Sequence, residues 1–231
     1  MNRFVELFEK KTFPLIVSIP QNKIDFAKAA QDNGADAVKV HTSVIHPASG
    51  VEFGTLDEEA PKFEEIRKAL DISMGIVPGV GVDLEMEEIE RMVDLGFDFF
   101  NAFISSITPL IMKEVRLAPM LCVLPDHTIE EAAATASLPR VVCVEADIVR
   151  HDGYGKRLSV EDCIKYQNIS SEMSKPLIVP TQRNIRPEEI SFLLQLGVGG
   201  IMIGAIATGM TVAGVANATR AFRAAIDALD S

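Results

Sequence analysis

The chain has no tryptophan, only two tyrosines and only three cysteines among 231 residues. The cysteines, at 122, 143 and 163, form no Cys-x-x-Cys pair and leave one unmatched. That excludes a disulfide framework and a structural zinc site, and reads as reduced thiols in a cytosolic protein. Basic residues are in deficit: 22 Lys and Arg face 33 Asp and Glu, a net charge of -11. A chain this acidic is poorly suited to nucleic acid or anionic membranes, both polyanions. Long apolar runs are missing too. The longest, GVGGIMIGAIATGM, is glycine-rich and too short to cross a bilayer core of ~30 Å. The opening MNRFVELFEKK interleaves charge with apolar residues and has no export-signal core. No Gly/Ser- or Pro-rich linker divides the chain, so residues 1–231 read as one domain. With 48% hydrophobic residues it can bury a large core without staples.

What is present is a strand-then-helix cadence. Eight short apolar segments read as strands buried on both faces: LIVSIP, DAVKVH, MGIVPG, FDFFNAF, MLCVL, VVCVEAD, PLIVPT and GIMIGA. Between them lie helical patterns that stop at glycine, such as NKIDFAKAAQDNG ending at Gly34 and RPEEISFLLQLG ending at Gly197. DLEMEEIERMVDLG opens at Asp83, a candidate N-cap, and stops at Gly96. Two insertions, HPASGVEFG and RHDGYGKRLS, follow strands two and six and read as loops. The fold class is therefore α/β, a single (β/α)8 TIM barrel, with an extra N-terminal helix over residues 2–11 closing one end. A doubly wound open sheet is the runner-up, but no G-x-G-x-x-G follows strand one.

In such barrels chemistry sits at the C-terminal strand ends, and side chains of one parity point into the lumen. Strand two puts Val38 and Val40 outward, so Lys39 and His41 face inward. Strand six does the same with Cys143, Glu145 and Asp147. Lys39, His41, Glu145 and Asp147 are the candidate catalytic set, an acid/base cluster with a lysine to polarise a carbonyl or form a Schiff base. The same carboxylates also read as a salt-bridged plug, or as a Mg²⁺ pair helped by His46 or His151, although no tight ligand motif exists and no metal is assigned. Asn101 shares the inward parity of Phe99 and Phe103 and would orient a substrate hydroxyl. Arg183 offers a bidentate anion contact, and Gly204 and Ala205 open a small-residue loop whose amides can approach a phosphate. The basic, glycine-bearing loop 151–159 reads as a lid bearing Lys156 and Arg157, or as a plain surface loop. DEEAPKFEE reads as a solvated helix face, and the alanine-rich last helix as a homodimer surface.

The stretch PTQRNIRPEEISFLLQLGVGGIMIGAIAT, with the Gly153-Tyr154 step before it, resembles N-acetylmannosamine-6-phosphate 2-epimerases of the ribulose-phosphate-binding barrel superfamily. Arg183, Gly204 and Thr208 fall on matching positions, and the match covers residues 150–210. The resemblance implies phosphate binding through Arg183, Gly153 and the Gly204 loop. It does not carry over the epimerase chemistry. The family's catalytic glutamate falls at Thr181, its lysine near Pro78, and its strand-four aspartate at Asn101. The expectation is a cytoplasmic isomerase or lyase that takes a proton next to a carbonyl of a small phosphorylated metabolite. The rival is a non-catalytic phosphate-binding barrel acting as a sensor or assembly partner.

Overall fold

The computed structural model describes residues 2–11, 13–79, 83–114 and 116–230, so the end of the segment GIVPGVG, residues 80 and 81, lies outside them. Eight parallel strands close a barrel: β1 Leu15–Ser18, β2 Ala37–His41, β3 Ser73–Val77, β4 Phe99–Phe103, β5 Ala118–Val123, β6 Cys143–Ala146, β7 Leu177–Pro180 and β8 Gly200–Ile203. Each pairs with the next, and β8 returns to β1 in the register Leu15–Ile201, Ile16–Met202, Val17–Ile203. The helices are α1 Arg3–Lys10, α2 Ile24–Gln31, α3 Leu56–Ala69, α4 Met86–Asp94, α5 Ile129–Ser137, α6 Val160–Glu172, α7 Ile190–Gln195, α8 Ala205–Thr208 and α9 Val212–Asp227.

Two apolar layers follow from the alternation along the strands. Val17, Val38, Val40, Val144, Val179 and Ile203 point outward into the layer shared with the helices. Ile16, Ala37, Phe99, Met120, Cys143, Ile178 and Met202 point inward and fill the base of the lumen. Helix α1 closes that base. Asn2 caps it by accepting from the Phe4 and Val5 amides, and its Nδ2 donates to the carbonyls of Asp98 at 2.6 Å and Arg116 at 2.9 Å. This fixes Phe4 against Phe99, ring centroids 3.8 Å apart. Gly75 makes the space for Phe99: a Cβ there would lie 2.1 Å from its ring.

Several sequence expectations shift in detail. Helices α4 and α7 do end at glycines of positive φ, +80° at Gly96 and +83° at Gly197, which a side chain would resist. Asp83, however, is not the cap of α4. Leu84 is buried and its amide donates to the Ser106 carbonyl, so the helix starts after Glu85, in a capping box with Glu88. The insertion after β2 is not a plain loop: Val44–Ile45 and Glu52–Phe53 pair as an antiparallel hairpin. Helix α9 turns Val215, Phe222 and Ile226 inward, and Arg223 and Arg220 tie it to Asp36 and Asn33. These buried residues pack its inner face on the barrel. Among the described residues no helix is long and apolar enough to cross a membrane.

Candidate active site

Above the apolar base, one turn of alternation further along the strands, the lumen becomes polar. Lys39, on β2, donates from Nζ to Asn101 Oδ1 at 2.8 Å and lies 3.8 Å from Glu145 Oε1. The other oxygen of Glu145 accepts from the Cys122 thiol at 3.2 Å. Asn101 Nδ2 closes the circuit on Cys122 Sγ at 3.1 Å. Four side chains from β2, β4, β5 and β6 thus form one ring, with Lys39 and Glu145 only 5% and 6% exposed. A buried lysine and glutamate need such pairing, because either charge alone would be strongly disfavoured there. Burial, with Glu145 and Asp147 close by, pushes the Cys122 thiol well up. It is therefore a neutral donor to Glu145 and not a nucleophilic thiolate.

His41 stands at the end of the same inward row. Its Nε2 meets Ser18 Oγ at 3.2 Å, while Nδ1 is buried without a hydrogen-bond partner. The hairpin after β2 folds His46 and Phe53 onto it, with ring centroids 4.5 and 5.0 Å away. Burial, then His46 and Lys39, drives the His41 pKa well below 6.5, so its imidazole is neutral at pH 7. Burial likewise brings His46 to about 4.

Asp147 lies one residue beyond β6. Gln182 Nε2 donates to it, and also to the Tyr154 hydroxyl at 2.8 Å. Burial first, and Glu145 second, raise the Asp147 carboxyl to about 6. A carboxyl poised near neutrality at a cavity wall suits proton transfer in either direction.

These groups share one cavity of about 480 Å³ at the C-terminal end of the barrel. Lys39, His41, Asn101, Glu145 and Asp147 all line it, and so do Gly204 and Ala205. Of the two loop amides, that of Gly204 is already donated to Thr181 Oγ1 at 2.9 Å. Arg183 and Gly153 are not brought into this cavity. Gln182 points into it, so its neighbour Arg183 points out. There its Nη2 meets Asp162 Oδ1 of α6 and its Nη1 donates to the Gly153 carbonyl, both at 2.8 Å. The loop 151–159 is not a free lid either. The Gly155 amide donates to the Gln182 carbonyl, the Asn184 amide donates to the Lys156 carbonyl, and Arg157 bridges Asn184, so the loop is stitched to the chain after β7.

Among the described residues no group of three or more His, Cys, Asp and Glu side chains gathers to hold a metal. Glu145, half of the Mg²⁺ pair considered above, already has its two oxygens engaged by Lys39 and Cys122.

The architecture defines the class: a closed (β/α)8 barrel with a polar cavity at the strand ends. No family model matches the chain, and no curated protein matches it by sequence. Solved structures do match it in fold. A ligand-free tryptophan synthase structure from M. tuberculosis superposes with a TM-score of 0.72 at 14% identity, covering 98% of this chain and 99% of that one. Phosphoribosyl anthranilate isomerase from Thermus thermophilus gives 0.66 at 14% identity, covering 94% of this chain and 100% of its own. Thiamine phosphate pyrophosphorylase from Pyrococcus furiosus gives 0.64 at 14% identity, covering 95% of this chain and 98% of its own. At such identities the likeness establishes the barrel fold and nothing finer.

Proposed function

We propose that the chain is an enzyme of phosphorylated-metabolite chemistry that moves a proton next to a carbonyl, as in an epimerisation, isomerisation or retro-aldol step. The observation that carries this reading is that Lys39, His41, Asn101, Glu145 and Asp147, from β2, β4 and the end of β6, line one cavity with Gly204 and Ala205. Similar barrels named for phosphorylated compounds support the class of metabolite.

In this reading the substrate phosphate sits by the Gly204–Ala205 loop, which fixes the reacting carbon near Lys39 and Asp147. Asp147, ionised above pH about 6, takes the proton from carbon. The electron pair moves onto the carbonyl oxygen, where Lys39 stabilises the developing charge. Asn101 and Glu145 hold the ammonium in place. His41 relays the returning proton, accepting at one nitrogen as it releases from the other. Arg183 acts only from outside the cavity, by holding the Gly153 carbonyl and Asp162.

A second reading draws on a specific observation. Lys39, Asn101, Cys122 and Glu145 satisfy one another, and Thr181 and Pro78 stand where the epimerases the sequence resembles have their catalytic pair. That favours a barrel that binds a phosphorylated ligand and leaves it unchanged. One experiment separates the two. N-acetylmannosamine 6-phosphate and other sugar phosphates are incubated with the protein in D2O and followed by proton NMR. Loss of the signal from the carbon next to the carbonyl, abolished by Asp147→Asn, supports the enzyme. Saturable binding without exchange supports the sensor. Absence of binding by every compound removes both.

A further inference from the structure

Beside this cavity lies a second, also of about 480 Å³, between α6 and the segments that follow β5, β6 and β7. Its walls differ in kind. Leu124, Ile129, Ile148 and Ile169 make an apolar side. Arg150, Lys156, Lys165 and Arg183 bring four cations, against two carboxylates, Asp152 and Asp162. In a chain whose net charge is -11, a cavity lined this way gathers positive potential where the rest of the surface has little. Asp162 is already neutralised by Arg183 at 2.8 Å. Lys165 has only a one-turn pair with exposed Glu161, the kind of contact an anion readily displaces. Among the described residues neither Arg150 nor Lys156 has a carboxylate within 4.0 Å, and Arg183 Nε is buried without a partner.

We propose that this second cavity binds a small organic phosphate, distinct from the substrate of the first. The phosphate would rest on Arg150, Lys156 and Lys165, and the apolar body against Ile129, Ile148 and Ile169. The geometry also connects the two cavities. The segment after β6 is their common wall: Val149 and Gly153 line the second, His151 and Tyr154 the first. Arg183 Nη1 holds the Gly153 carbonyl, and the Tyr154 hydroxyl accepts from Gln182, which also holds Asp147. A ligand in the second cavity therefore bears on Asp147 through one short run of chain.

The test uses phenyl phosphate, which has the anion and the apolar body, with inorganic phosphate as comparison. Amide resonances of the ¹⁵N-labelled protein are followed through a titration with each. Saturable shifts at Ile129, Gly153 and Asn168 are expected, tighter for phenyl phosphate than for inorganic phosphate. They should weaken about tenfold when Lys156 and Lys165 are both changed to alanine, the loss of two solvent-exposed ion pairs. Shifts confined to Gly204, Ala205 and His41 would overturn the second site and leave the proposed function standing. Shifts at the second set alone would support the second site and count against a phosphate subsite in the first. No saturable shift in either set overturns the second site as well.

Discussion

Replacing Asp147 with asparagine separates the stability of the protein from its chemistry. The side chain lies between β6 and Gln182, and burial raises its pKa from 3.8 to about 6. At about 1.4 kcal/mol per pKa step, holding it ionised in the folded state costs up to about 3 kcal/mol. The folded state binds this proton more tightly than the unfolded chain. The favourable contribution is therefore complete below pH 3.8 and is lost as pH rises through about 6. Asparagine keeps an oxygen to accept from Gln182 and never ionises. Asp147→Asn should match wild type near pH 4 and exceed it by up to about 3 kcal/mol above pH 7, or roughly 6–12 °C in Tm for a chain of this size. Urea unfolding at steps between pH 4 and 8, fitted as the difference between the two proteins, reads this directly. Other groups, such as the buried histidines, titrate in both proteins and cancel. A difference that stays flat across the range, or falls as pH rises, refutes the reasoning.

Other outcomes follow from the same contacts. Lys39→Met strands Glu145 in the lumen and should cost about 3–5 kcal/mol in urea unfolding at pH 7, while adding Glu145→Gln should recover most of it. An undiminished single variant would mean that the pair carries no load. His46, held near pKa 4 when folded, must charge on unfolding below pH 6.5. The His46 contribution is therefore lost as pH falls from 6.5 towards 4, and the stability of His46→Gln relative to wild type should rise across that range by up to about 3 kcal/mol. Gly75→Ala sets a methyl 2.1 Å from the Phe99 ring that Phe4 holds in place, so it should destabilise by about 1–3 kcal/mol, and Phe99→Leu should relieve the clash. Thermal unfolding of the single and double variants checks it.

The barrel was legible because its strands are buried on both faces and its helices stop at glycines, a pattern that local physics sets. The same alternation located Lys39, His41 and Glu145 in the lumen, since Val38, Val40 and Val144 had to face the helices. Cys122 shares the parity of Met120 and so belongs inside, but cysteine count and spacing report only a reduced thiol and not its bond to Glu145. Arg183 follows inward-facing Gln182 and so points away from the cavity, although a guanidinium at a strand end suits an anion at the mouth. Nothing in HPASGVEFG announced that two-residue strands would pair and carry His46 onto His41. That contact depends on a fold-back that residue-level periodicity is too short to reveal. The two-cavity arrangement was equally hidden, because it is made by the path of one loop past Arg183.

The stack of Phe4 on Phe99 has a consequence for solvent. With the base of the lumen sealed by aromatic rings, the polar ring above it is open to bulk water from one direction alone. Whatever settles at the mouth is both guest and stopper. Its arrival leaves Lys39 and Glu145 in a dry vessel, where every charge is felt more strongly. The lumen then needs no moving cover to become water-free, because the occupant itself closes the door.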